Sequence, residues 1–240
     1  MENKEHPEGY EEVKYYYSEG LKSKFEIVKH PEYDKAIPQM MESIDNYNLT
    51  KKETENYPYF TSQNSLQYLP KLNIPSDIFS IVQLKELHSK LPYYHQYTNF
   101  KRIFSISVDG CALRTFYSKC EGISNSVLVV KDNENNIFGA YASDTFSPQC
   151  QFYGTGECFL FSFFKENRIH IYNSTGKNDH YMYCDHEQIC FGCSDDYFSL
   201  ALTNDFLDGY SKETQTYDNE CLTKSDKFTI VKLELWGFEG

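Results

Sequence analysis

Three thiols and an imidazole fall within ten residues, in the run Cys184-Asp-His186-Glu-Gln-Ile-Cys190-Phe-Gly-Cys193. Cysteine sulfur and histidine nitrogen are the ligand types of a tetrahedral zinc site. The placement argues against a metal, because these residues occupy two strand-like runs and a tight link rather than the paired knuckles of zinc ribbons. A chain this long also needs no ion to supply its folding energy. The expectation is packed or half-exposed thiols, with no metal and no cofactor.

A second constellation is Gly154-Thr-Gly156-Glu157. Two glycines so close could cradle a phosphate, but the third glycine of a dinucleotide fingerprint and the Gly-Lys-Ser/Thr of a P-loop are both missing. A strand follows rather than a helix, so there is no helix N-terminus to meet the anion. The glycines are instead expected to make a turn with positive φ and close backbone approach. Glu157 could act as a general acid or base only beside a second carboxylate or a histidine, which the sequence does not identify. There is no Gly-x-Ser-x-Gly elbow. Among the eight cysteines, Cys120 beside Lys119 and near Arg114 has the basic neighbours that thiolate activation requires.

Positioning these groups falls to elements read from residue pattern. Phe159-Leu-Phe-Ser-Phe-Phe164 carries one polar break, so a strand within Phe152–Phe164 is expected to be covered on both faces. Ser80-Ile-Val-Gln83 matches a capping box, followed by Leu84, Leu87 and Leu91 at helical spacing and stopped by Pro92. Leu113, Phe116, Tyr117 and Cys120 define one face of a helix over 111–120, with Gly122 just past its end. Strands are expected at 100–108, 126–131, 137–141, 169–172, 180–184, 187–192, 196–203 and 228–236. The pair 126–131 and 137–141 reads as a hairpin across Asp132–Asn136. In the last strand the apolar parity changes midway, which a bulge near Val231–Lys232 reconciles. The pattern is a mainly antiparallel β domain with two or three flanking helices (α+β), spanning 73–240.

Residues 1–72 form an acidic, aromatic-rich arm with thin apolar content, too little to fold alone. Thr50–Glu53 fits a capping box, and Pro38 could open a turn through Ile44. Tyr15, Tyr16 and Tyr17 head a series of aromatic anchors by which the arm would grip its own domain or a partner.

The 240 residues include 21 Tyr and 18 Phe, enough for a real core, and carry a net charge of −12. Neither the arm nor the domain has a basic stripe, which disfavours nucleic acid and anionic membrane surfaces. No window approaches the length of a membrane span, and Met1 is followed by no apolar leader-like run. The expected location is cytoplasmic, with reduced thiols.

Six blocks in order resemble the TLDc domain, the module of the oxidation-resistance protein family. They are Leu113-Arg-Thr-Phe-Tyr117; Val127-Leu-Val-Val-Lys-Asp132 with Ile137-Phe-Gly-Ala140; Tyr153-Gly-Thr-Gly-Glu-Cys-Phe-Leu-Phe161; Thr175-Gly-Lys-Asn178; Tyr217-Asp-Asn-Glu-Cys-Leu222; and Leu233-Glu-Leu-Trp-Gly-Phe238. Where the family often has a glycine-rich run, this chain reads Gly192-Cys-Ser-Asp-Asp196. The resemblance implies a two-sheet antiparallel β-sandwich with helices outside, and no established catalytic site. It implies a role in oxidative-stress protection and a partner, the vacuolar proton-pumping ATPase. Its functional positions carry over to Gly154, Gly156, Glu157, Thr175, Gly176 and Asn178. Two alternatives stand beside it: a structural part of a cytoskeletal or ciliary assembly anchored by the arm, and a thiol-based antioxidant working through Cys120.

Overall fold

The computed structural model describes residues 69–163, 168–195 and 197–239. Tyr15–Tyr17 and the helical readings at 38–53 lie outside them. Among the described residues there are three helices, α1 (Ile81–His88), α2 (Ile106–Asp109) and α3 (Leu113–Cys120), and a 3-10 turn at Tyr93–His95. The strands are β1 (Asn99–Ser105), β2 (Ser126–Asp132), β3 (Ile137–Ala142), β4 (Phe152–Tyr153), β5 (Phe159–Phe163) and β6 (Ile169–Asn173). They continue with β7 (Met182–Cys184), β8 (Gln188–Ser194), β9 (Tyr197–Thr203), β10 (Asp208–Tyr210) and β11 (Lys227–Glu239). No helix among the described residues is long and apolar enough to cross a membrane.

Every strand pairs antiparallel, in the order β4-β7-β8-β9-β10-β11-β2-β3-β5-β6, with β1 on the C-terminal half of β11. Strand β11 belongs to two sheets. Lys227–Thr229 pairs with β10, and Ile230–Trp236 pairs with β2. The handover is a register shift between Ile230 and Lys232, which leaves Val231 as the extra residue, half exposed. This is the expected bulge, and it accounts for the parity change.

Between the sheets, Leu128, Val130, Phe138, Ala140 and Leu160 meet Ile189, Phe191, Leu200 and Leu202 in one cluster. Helix α3 closes it with Leu113, Phe116 and Cys120, on the face their spacing predicts. The opposite face of the β2–β3–β5 sheet is buried too. Val127, Val129, Phe159, Phe161 and Trp236 lie under Leu84, Leu87 and Leu91. Strand β5 is therefore covered on both sides, as its unbroken apolar run requires. Each such side chain contributes about 1.5–3 kcal/mol on burial.

The expected glycine turn separates Phe152–Tyr153, which pairs with β7 in one sheet, from Phe159–Phe163, which pairs with β3 in the other. Some boundaries differ from the sequence reading. Strand β1 ends at Ser105, because the Ser105 hydroxyl accepts from Ser107 N and Asp109 Oδ2 accepts from Ser105 N, winding α2 instead. Helix α1 has both halves of the predicted capping box but ends at His88, where the Ser89 hydroxyl donates to the Glu86 carbonyl.

Candidate functional site

The turn Gly154–Cys158 carries the chain from β4 in one sheet to β5 in the other. Gly154 has φ +87, and a Cβ there would meet Met182 Sδ at 3.2 Å and Cys158 Sγ at 3.4 Å. Conformation and space both require glycine. Gly156 does not have a positive φ, and a Cβ would meet only Tyr181 Oη at 3.6 Å and Ser174 Oγ at 4.0 Å, which is ordinary contact. The positive-φ expectation holds for the first glycine and not the second. Thr155 N donates to Ser143 Oγ at 2.9 Å, and Ser143 Oγ lies 3.2 Å from Cys158 Sγ, so the turn is clamped to the end of β3.

Glu157 is exposed. It sits on the turn, one residue before the chain enters the sheet. Its Oε2 accepts a 2.7 Å hydrogen bond from the hydroxyl of Tyr94, on the 3-10 turn. The Tyr94 and Tyr141 hydroxyls lie 3.4 Å apart, and Tyr141 donates to Asn125 Oδ1 at 2.9 Å. Beneath them the His95 ring stacks on Phe238 with centroids 3.9 Å apart and meets Tyr94 edge-on at 4.5 Å. Burial lowers the His95 pKa, opposed by the Glu157 charge. Burial raises those of Tyr94 and Tyr141. Tyr94, His95, Tyr141 and Asn125 were not legible as partners of Glu157, since contacts spanning 63 residues leave no local signal.

The second motif block is a knot of loops. Thr175 Oγ1 donates to the Gln215 carbonyl at 2.6 Å and accepts from Lys177 N at 3.2 Å. Gly176, at φ +70, completes the turn. Asn178 Oδ1 accepts from His180 N at 3.2 Å and from Thr216 Oγ1 at 2.9 Å, while its amide donates to the Cys193 carbonyl at 3.4 Å. The blocks are neighbours through Gly156 and Ser174, yet among the described residues no hydrogen bond joins 154–157 to 175–178.

At the substituted glycine run, Gly192 has φ +65 and a Cβ would strike Ser199 and Tyr217. The first glycine of the run is thus fixed by backbone shape. Asp195 also has positive φ, +50.

The thiols stand apart from both blocks. Cys120 is fully buried against the core, and burial pushes its thiol pKa up. The cation expected to activate it is engaged elsewhere, with Lys119 Nζ 3.0 Å from Asp109. Cys184 faces the inter-sheet core, accepts from the Tyr153 hydroxyl at 3.0 Å, and has a thiol pKa pushed up to about 12 by burial. Cys190 lies between the core residues Ile189 and Phe191 and so points to the other face of the sheet. His186 is exposed on the β7–β8 turn. Among the described residues no three His, Cys, Asp or Glu side chains converge to hold a metal. A cleft beside the β2–β3 turn, lined in part by Asp132, Asn136, Asp208 and Lys227, takes no residue from either block.

What these motifs assemble is a braced pair of turns presenting one carboxylate, with hydrogen-bond donors and ring faces beside it. Residues 72–239 match the family model of the TLDc domain. Oxidation resistance protein 1 of Xenopus laevis is 30% identical over 225 residues, covering 90% of this chain and 26% of that protein. Nuclear receptor coactivator 7 of Gallus gallus is 30% identical over 213 residues, covering 88% of this chain and 23% of its own length. Oxidation resistance protein 1 of Homo sapiens is 32% identical over 176 residues, 73% of this chain and 20% of that protein. The chain spans about a quarter or less of the length of these relatives.

Proposed function

Because this chain belongs to the TLDc domain family, we propose that it is a non-enzymatic interaction module that docks on a large cytoplasmic assembly, the vacuolar proton-pumping ATPase. Regulation of that pump would connect it to the oxidation resistance for which its relatives are named.

The observation that carries this reading is how the polar groups of the two motif blocks are used. Thr175 and Asn178 bind neighbouring backbone and Thr216, and Thr155 binds Ser143. These bonds hold loops in place. A catalytic nucleophile or base is instead set within reach of a substrate and of the group that activates it. Here the thiol with basic sequence neighbours lies in the core, with its proton held on by burial. Tyrosine rings at the surface are among the side chains by which proteins most often grip proteins.

The test is affinity purification of the tagged full chain. Recovery of vacuolar ATPase subunits in stoichiometric amount is expected; a purification that recovers none overturns the choice of partner.

A further inference from the structure

Tyr93 and Tyr94 are 80% and 42% exposed. Rings that contribute so little to the core are not explained by folding, and clustered exposed aromatics mark interaction sites. They are held on a braced segment. His95 N donates to the Pro92 carbonyl at 2.8 Å, the Gln96 amide donates to the Leu91 carbonyl at 3.2 Å, and Thr98 Oγ1 donates to the His95 carbonyl at 2.8 Å. Below, His95 is stacked on Phe238. The Tyr93 and Tyr94 rings meet edge-on, 5.7 Å apart, and the Tyr94 hydroxyl fixes the exposed Glu157 carboxylate beside them.

Among the described residues no Lys or Arg pairs with the Glu157 carboxylate, whose hydrogen bond is to the Tyr94 hydroxyl. A ring face attracts a cation, and a carboxylate accepts its N–H donors. Arginine fits both, because its planar guanidinium stacks on a ring while its fork meets a carboxylate. The net charge of −12 favours approach of a cationic surface. From this geometry we infer that Tyr93, Tyr94 and Glu157 form a docking surface for an arginine side chain projecting from a protein partner. The inference rests on the docking reading above and names the surface that performs it.

The experiment uses the folded full chain with two readouts. First, a fluorescent nona-arginine peptide is titrated at physiological salt, with nona-lysine for comparison. Nona-arginine is expected to bind at least about 5-fold more tightly than nona-lysine. Tyr93→Ala and, separately, Glu157→Gln are each expected to weaken nona-arginine by about 5-fold or more, with unchanged melting temperature. Glu157→Gln keeps an acceptor for Tyr94, so a loss reports the charge. Equal affinities of wild type and both variants would overturn the surface. Second, the same variants are used to capture the ATPase. If wild type and variants capture it equally, the surface fails and the partner assignment stands. If none captures it while the peptide contrasts persist, the assignment fails and the surface stands.

Discussion

The guanidinium of Arg102 and the carboxylate of Glu234 lie 3.5 Å apart on the neighbouring strands β1 and β11, with the carboxylate only 1% exposed. The same carboxylate accepts from the Ser76 hydroxyl at 2.6 Å, Asp77 N at 2.9 Å and Trp236 Nε1 at 3.1 Å. One buried charge thus ties the segment before α1, the edge strand and the sole tryptophan together. Removing one partner of such a pair leaves the remainder unsatisfied, at about 3–5 kcal/mol. Glu234→Ala is expected to lower stability by that amount in urea unfolding, and Glu234→Gln by less. An unchanged midpoint for the alanine variant would refute the node's role.

Gly192→Ala should be poorly tolerated. Its φ of +65 costs an L-residue on the order of 1–3 kcal/mol, and the added carbon would also lie 2.7 Å from the Tyr217 ring. Thermal melting checks this, with Gly176→Ala as comparison, since φ there is +70 but nothing lies within 4 Å. The Gly192 variant should melt lower. Equal losses would mean that crowding by Ser199 and Tyr217 adds nothing.

Thiol labelling should follow burial rather than sequence charge. Cys150 is exposed, whereas Cys120, Cys158, Cys184 and Cys190 are buried. Burial raises the thiol pKa of each of these four, so neither access nor thiolate is available. Maleimide treatment followed by peptide mapping should mark Cys150 in the native protein and the buried four only in denaturant. Fast native labelling of Cys120 would reopen the antioxidant alternative.

Stability should fall as the medium is acidified through the histidine range. Burial lowers the folded-state pKa of His88 and His95 from 6.5; hydrogen bonds at Thr98 and His95 oppose this for His88, and Glu157 opposes it for His95. The unfolded chain therefore binds more protons just below 6.5. The stabilising contribution is complete above 6.5 and is lost as pH falls toward the lowered folded values. Unfolding midpoints at about pH 7.5 and about pH 5.5 should differ, and His88→Gln/His95→Gln should flatten the difference. A slope unchanged in that variant would place the proton uptake elsewhere.

The elements that were legible in sequence are those whose signals are local. The Ser80–Gln83 box, the 113–120 helical face and the parity change before Lys232 each report on neighbours within a few residues. The glycine turn between Tyr153 and Phe159 was legible, but not that its two sides pair in different sheets, because an apolar run reads the same in either. The setting of Glu157 was not legible for a related reason: its position after two glycines and before a buried strand says nothing about Tyr94, which arrives from another element. Thr175 and Asn178 read as turn residues, but their partners Gln215, Thr216 and Cys193 come from distant segments. Cys120 misled because adjacency to Lys119 along a helix puts the two on different faces.

Strand β11 comes after every other described element, yet it is the seam on which β10, β2 and β1 all pair. During translation, those three strands wait with open edges until Lys227–Glu239 has left the ribosome. A premature stop before Lys227 would thus withhold the shared seam from both sheets at once, leaving a nascent chain that chaperones must shield or proteases remove.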